Sequence, residues 1–226
     1  MKDRFIITID GPAGAGKTTI ASKLADRIGF RYVDTGSMYR AITLNVIEED
    51  LSFSDVPAIE VLAEESDIRI GFDGGCMKIY LDGRDITGEI RQRAVTENTS
   101  LIAAIPGVRY KLAKIQRQAA EDLGKVVFDG RDMGSIVFPD ADLKIYLDAG
   151  IEERARRRWQ ELKDRGEDIN IEKLKKDITE RDRRDASRGL APLRIPENAS
   201  IIDSTSLSIE EVVDKIIELL HRQVSF

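Results

Sequence analysis

With 226 residues, 34% of them charged and a net charge of −6, the chain is long enough for one substantial core carrying inserted flaps and too short for two full-sized domains. One cysteine, Cys76, and one histidine, His221, exclude an internal disulfide and a Cys/His zinc site, so any metal must sit on oxygen ligands. The acidic balance argues against sequence-independent nucleic-acid binding, and no apolar run approaches the roughly 20 residues of a membrane span or forms a secretory leader, which makes a cytoplasmic protein the expectation.

In chain order, the apolar run Phe5 to Ile9 predicts a buried strand, followed by a Gly-rich turn and a helical pattern from Lys17 to Ile28 closed by Gly29. A short strand around Tyr32 and Val33 leads through Asp34, Thr35 and Gly36 into a helix expected from near Ser37 to about Glu49. Ile68 to Phe72 and Met77 to Leu81, joined by Asp73-Gly74-Gly75, predict a small antiparallel insert. Helical patterning returns from Gln92 to Ile105 and, after Pro106-Gly107, runs to Leu123. Val126 to Phe128, Leu143 to Leu147 and Ile201-Ile202 predict further buried parallel strands. Charged helices are expected over Ile151 to Arg165 and Ile171 to Arg184, with an amphipathic helix from Ile209 to Arg222. His221 falls in the last turn of that helix, where it complements the dipole.

The string Gly11-Pro12-Ala13-Gly14-Ala15-Gly16-Lys17-Thr18 fits G-x-x-x-x-G-K-[ST] and lies between a predicted strand and a predicted helix, the context the mechanism requires. Glycines there let successive backbone N–H groups face a phosphate, and the helix start adds its positive dipole end. Lys17 would place a charge between the β- and γ-phosphates of a nucleoside triphosphate, ATP in this reading, and the Thr18 hydroxyl would take one position on Mg²⁺. Asp129, at the end of the Val-Val-Phe strand, is a candidate to orient that ion or its water; it also reads as an ordinary turn residue. No Asn-Lys-x-Asp guanine-reading string occurs, and the D-x-x-G match Asp85 to Gly88 falls inside the hairpin insert, far from a strand end.

A second set of phosphate-binding candidates points to an acceptor. Asp34 to Arg40 follows the second strand, where Arg40 either forks onto a phosphate or is a surface arginine on an N-capped helix. Gly130-Arg131-Asp132-Met133-Gly134 follows Asp129 and reads as a base or phosphate contact or as a plain turn. From Ile151 to Arg194 the chain holds 14 Lys or Arg against 11 Asp or Glu, a balance of +3. For any one arginine a solvated helix laced by pairs such as Glu152 with Arg156 explains the pattern, whereas the cluster as a whole suits a lid that brings charge over a transferring phosphoryl group and excludes water.

These segments, with Phe138-Pro139-Asp140-Ala141 and Glu180-Arg181-Asp182 through Ala191-Pro192, resemble the bacterial cytidylate kinase family over nearly the whole chain. The resemblance implies an α/β fold of the P-loop NTPase type, with a central parallel sheet flanked by helices. It divides the chain into a core (about 1–40, 107–150 and 195–226), a small antiparallel insert for the nucleoside monophosphate (about 41–106) and an arginine-rich helical lid (about 151–194). It also implies transfer from ATP to CMP or dCMP. In that family's terms Gly11 to Thr19 and Arg157 would meet ATP, and Arg40, Arg131, Arg181 and Arg188 the acceptor phosphate. Thr35 and Tyr39 would line the acceptor site, Ser100, Arg109 and Asp132 would read cytosine, and Asp185 would meet the sugar hydroxyls. A monomer acting on small nucleotides, without nucleic acid or membrane, is the corresponding expectation. The alternatives are a P-loop kinase for UMP, shikimate or dephospho-coenzyme A, and a partner-coupled ATPase or switch.

Overall fold

The computed structural model describes residues 4–164, 166 and 169–224. Five parallel strands form the central sheet in the order β2-β6-β1-β7-β8: β1 (Phe5–Asp10), β2 (Arg31–Asp34), β6 (Lys125–Gly130), β7 (Leu143–Asp148) and β8 (Ser200–Asp203). All six residues of β1 are buried, as an uninterrupted apolar run in a central parallel strand requires. Asp10 aligns with Gly130, and Asp34 with Asp129, so the carboxyl ends of three strands place their acidic residues along one edge of the sheet.

Helices cover both faces. On one side α1 (Lys17–Ile28) and α8 (Ile209–Val224) pack Leu24, Val213 and Ile216 against Ile7, Ile9 and Ile145. The other face carries α2 (Thr35–Glu48) and α5 (Pro106–Leu123), whose Ile42 and Leu112 share a core with Phe128, with α3 (Val56–Glu65) and with α4 (Arg93–Ile102). A three-stranded antiparallel sheet, β3 (Ile68–Asp73), β4 (Cys76–Leu81) and β5 (Arg84–Asp85), joins this second core through Ile68, Ile79 and Leu81. The two charged helices expected as a lid are α6 (Ile151–Asp164) and α7 (Ile171–Ala186); Arg165, the expected last residue of the first of them, lies outside the described residues.

Several expectations are corrected. The second helix starts at Thr35, two residues early, with Asp34 in extended conformation at the N-cap position; its carboxylate caps no backbone amide and instead accepts the Ser37 hydroxyl at 2.6 Å through Oδ2. Residues 50–67, left without an element, contain α3, started by Asp55, which accepts from the Ala58 amide, and by a proline in the first turn. The helix expected from Gln92 to Ile105 is α4, which begins at Arg93 after a 3₁₀ turn (Glu89–Arg91) and stops at Ile102. After β6 the chain forms a π-helical turn, Met133–Val137, where the sequence offered a plain turn. Glu152 does not pair with Arg156: it meets Lys175 of α7, while Arg156 is held by Glu153 one turn earlier.

Candidate active site

The phosphate loop leaves β1 at Gly11 with φ of 150°, and a Cβ there would lie 2.0 Å from the carbonyl oxygen of Leu147, so only glycine fits beside β7. Ala13 to Thr19 line a single large cleft of about 1250 Å³ that also contains Thr35, Tyr39, Arg40, Ser100, Arg109, Asp129, Arg131, Asp132, Arg181, Asp185 and Arg188. Pro12 contributes from behind, through its carbonyl, to which Lys17 Nζ donates at 2.7 Å. Lys17 is buried at the start of α1. Burial, and next to it the Arg131 charge, hold its ammonium well below the usual lysine range, and an anion in the loop would restore it.

Thr18 Oγ1 donates to Asp129 Oδ2 at 2.9 Å. The other carboxylate oxygen of Asp129 is buried and has no hydrogen-bond partner. Burial and the neighbouring Asp34 carboxylate raise Asp129 to about 7, against the pull of Lys17 and Thr18. A hydroxyl beside an orphaned carboxylate oxygen suits a hard cation or a water in its shell. Among the described residues no group of three or more His, Cys, Asp or Glu forms an all-protein metal cage. Thr35, following Asp34, turns its hydroxyl onto the Asp129 carbonyl at 2.6 Å and so fixes the end of β6.

Across the cleft the arginines converge. Asp185, 1% exposed, accepts from Arg131 Nε at 3.2 Å with one oxygen and from Arg188 with the other. The Nε atoms of Arg40, Arg181 and Arg188 are buried and have no hydrogen-bond partner. Burial lowers Arg181 to about 10, with Arg131 adding to the effect, and burial also lowers Arg188. Buried guanidinium donors that find no protein acceptor and repel one another mark a place for an anion. Arg157 also lines the cleft and has protein partners of its own: it donates to the carbonyls of Ala15 and Ser204, the Ser204 hydroxyl and Glu153, which ties α6 to the loop.

At the far end of the cleft Arg109 and Asp132, 5% and 3% exposed, form a buried ion pair, and Arg109 also donates to the Ala103 carbonyl and lies over the Tyr39 ring. Ser100, buried on α4, accepts from Arg184 of α7 at 2.9 Å. The π-helical turn after Asp132 is pinned by Asp10, whose two carboxylate oxygens accept the amides of Met133 and Gly134 at 2.8 and 2.7 Å. Burial raises Asp10 to about 6 despite those bonds.

Asp10, Arg154, Asp182, Arg184 and Ser204 are the structural members of the site that reading the sequence missed. Asp10 left one usable signal, a carboxylate ending a strand that is otherwise apolar. The lid residues left none, since each sits in a row of similar charges.

A sequence profile of the family described as cytidylate kinase matches residues 7–222. A cytidylate kinase of Caldanaerobacter subterraneus subsp. tengcongensis is 48% identical over 96% of this chain and 94% of its own length, and one of Stutzerimonas stutzeri is 46% identical over 94% and 93%. Among solved structures, shikimate kinase from Bacteroides thetaiotaomicron covers 96% of this chain and 98% of its own with a TM-score of 0.51 at 15% identity, a likeness of fold alone. Matched from Ile7 to Arg222 and nearly half identical to relatives of its own length, the chain belongs to the cytidylate kinase family.

Proposed function

We infer that the chain transfers the terminal phosphoryl group of ATP to CMP or dCMP, the reaction of its family, and that the residues of the cleft divide that work as follows. The observation that carries the assignment is the set of orphaned, buried guanidinium Nε atoms of Arg40, Arg181 and Arg188 in the same cleft as Lys17 and the Arg109–Asp132 pair. An acceptor phosphate placed among them would give each a partner.

The loop amides and Lys17 hold the donor phosphates, with Gly11 and Gly16 bounding the turn and Thr19 continuing it into α1. Mg²⁺, held by Thr18 and approached through water by Asp129, would neutralise phosphate charge when bound. Arg131, Arg181 and Arg188 balance the charge that spreads over the transferring group's oxygens, and Asp185 keeps Arg131 and Arg188 aimed. The attacking acceptor oxygen is already anionic near neutral pH, so no general base is required. Arg157 belongs to the donor side through the loop carbonyl it holds.

Cytosine offers an amino donor where uracil offers a carbonyl. Asp132, fixed by Arg109, rewards the first and faces an acceptor with the second, leaving a buried polar group unpaired. Ser100 completes the base edge and Tyr39 the wall beneath Arg109. On this reading residues 41–106 form the acceptor flap and 151–194 the lid of a cytoplasmic monomer; no helix among the described residues is long and apolar enough to cross a membrane.

The test is ADP release from ATP and Mg²⁺ with CMP, dCMP, UMP, AMP, shikimate, dephospho-coenzyme A or no acceptor. Turnover with CMP and dCMP at least about tenfold above UMP supports the base-reading set. A preference for another acceptor removes it, and equal ADP release with no acceptor removes the kinase reading.

A further inference from the structure

Lid helix α7 meets the phosphate loop at Ala13, and together with α6 it holds that residue's backbone on both sides. Asp182 Oδ1 accepts the Ala13 amide at 3.0 Å, and its second oxygen takes the Arg154 guanidinium. Arg154, buried at the start of α6, donates in turn to the Ala13 carbonyl and to the Ala149 carbonyl, each at 2.9 Å. The Ala13 methyl packs with Ala155 and Ile178, one from each lid helix. The close approach is built in at the next residue too: a Cβ on Gly14 would lie 3.1 Å from Arg154 Cβ.

This junction answers a charge problem. Arg181 lies one residue before Asp182, buried against Arg131 with its Nε unpartnered. Like charges brought together out of water push the lid away from the loop whenever no anion lies between them. An attachment outside the charged cluster, made to backbone that stays in place when substrates come and go, keeps α7 seated.

We propose that Asp182 is a positioning residue, which with Arg154 latches α7 to the backbone of Ala13 and thereby sets Arg181 over the phosphate loop. Its effect on turnover rests on the reading that Arg181 meets phosphate, while the latch itself does not. Removing Asp182 frees α7 to swing, so the chemical step suffers more than acceptor binding, which the Arg40 and Arg109 side of the cleft secures.

The experiment compares wild type, Asp182→Ala and Arg181→Met by amide hydrogen exchange at Ala13 in the unliganded protein and by steady-state kinetics with ATP and CMP. In wild type the Ala13 amide exchanges slowly; in Asp182→Ala it exchanges at least about tenfold faster, and kcat falls about tenfold with KM for CMP changed less than about threefold. In Arg181→Met kcat falls while the Ala13 amide stays protected. Unprotected Ala13 in unliganded wild type overturns the latch and needs no variant to fold. Wild-type exchange in Asp182→Ala overturns it as well, and faster exchange with unchanged kcat overturns the positioning role. Full kcat in Arg181→Met instead overturns the arginine reading, and the exchange result still decides the latch on its own.

Discussion

On the proposed assignment, the donor and acceptor halves of the cleft are built on opposite plans. The donor half is local: nine consecutive residues, Gly11 to Thr19, between β1 and α1, working largely through backbone N–H groups and one lysine. The acceptor half is assembled from α2, α4, α5, the segment after β6 and α7, and works through side chains that hold one another, as Asp185 holds Arg131 and Arg188, and Asp132 meets Arg109. A backbone cradle binds any triphosphate, whereas a side-chain assembly can discriminate among bases. Damage to the first half should therefore abolish turnover with every acceptor alike, and damage to the second should change which acceptor is used.

The largest effect is expected at Lys17. Lys17→Met removes the charge on the transferring phosphate oxygens, and kcat should fall about a thousandfold with CMP and with UMP alike. Without substrates the same change relieves a buried ammonium, so the unliganded variant should melt no lower than wild type by calorimetry. A loss confined to CMP would break the contrast between the halves.

Asp132→Asn sharpens the other side. Its amide cannot serve both as acceptor for a cytosine amino group and as ionic partner for buried Arg109. We expect kcat/KM for CMP to fall about a hundredfold, and that for UMP much less, so the ratio of the two specificity constants collapses. Stability should fall too, by about 3 kcal/mol, because Arg109 is left as an uncompensated buried charge. An unchanged CMP to UMP ratio would remove Asp132 from base reading.

Asp129 stands between the halves and shows its role through pH. Its carboxyl ordinarily ionises near 3.8 and in the folded, substrate-free protein near 7. A raised acid contributes stability that is fully present below pH 4 and is lost as pH climbs to about 7, because the folded state holds the proton more tightly. In melting curves from pH 4 to pH 8 without ligands, Asp129→Asn should lack this loss and so gain on wild type by on the order of 10 °C as pH rises, at roughly 2–4 °C for each kcal/mol in a chain of this size. Asp10, raised to about 6, titrates in both proteins and cancels in the comparison.

The same contrast governs what the sequence discloses. Strand, loop and helix around Gly11 to Lys17 are neighbours in the chain, and their spacing carries the geometry. Segments after strand ends, such as Arg131 and Asp132, are marked by position, so they can be found without knowing their partners. Asp182 gives no local sign, because its partners Ala13 and Arg154 lie 169 and 28 residues away. Arg157 shows the limit of position alone: an arginine in a basic helix suggests phosphate, and the sequence gives no sign that its donors also hold the Ala15 carbonyl and Ser204, 142 and 47 residues away. The π-helical turn after Asp132 depends on Asp10, 123 residues upstream at its nearer bond, so reading Gly130 to Gly134 alone leaves a plain turn.

The smallest effect is predicted where neither half is touched. Helix α3, itself part of the proposed acceptor flap, packs Ile59 and Ala63 into the core and contributes no residue to the cleft. Its start depends on Asp55, which accepts the Ala58 amide at 3.2 Å from an exposed position. Asp55→Ala removes that cap and should cost about 1 kcal/mol, a fall of roughly 2–4 °C in Tm. Because the lost bond frays the first turn and leaves the buried side of the helix in place, kcat, KM for CMP and the CMP to UMP ratio should all stay within error of wild type. A change in that ratio without further loss of stability would mean that α3 transmits to the base-reading pair, for which the bond from Glu60 Oε1 to the Gly107 amide, two residues before Arg109, is the available route.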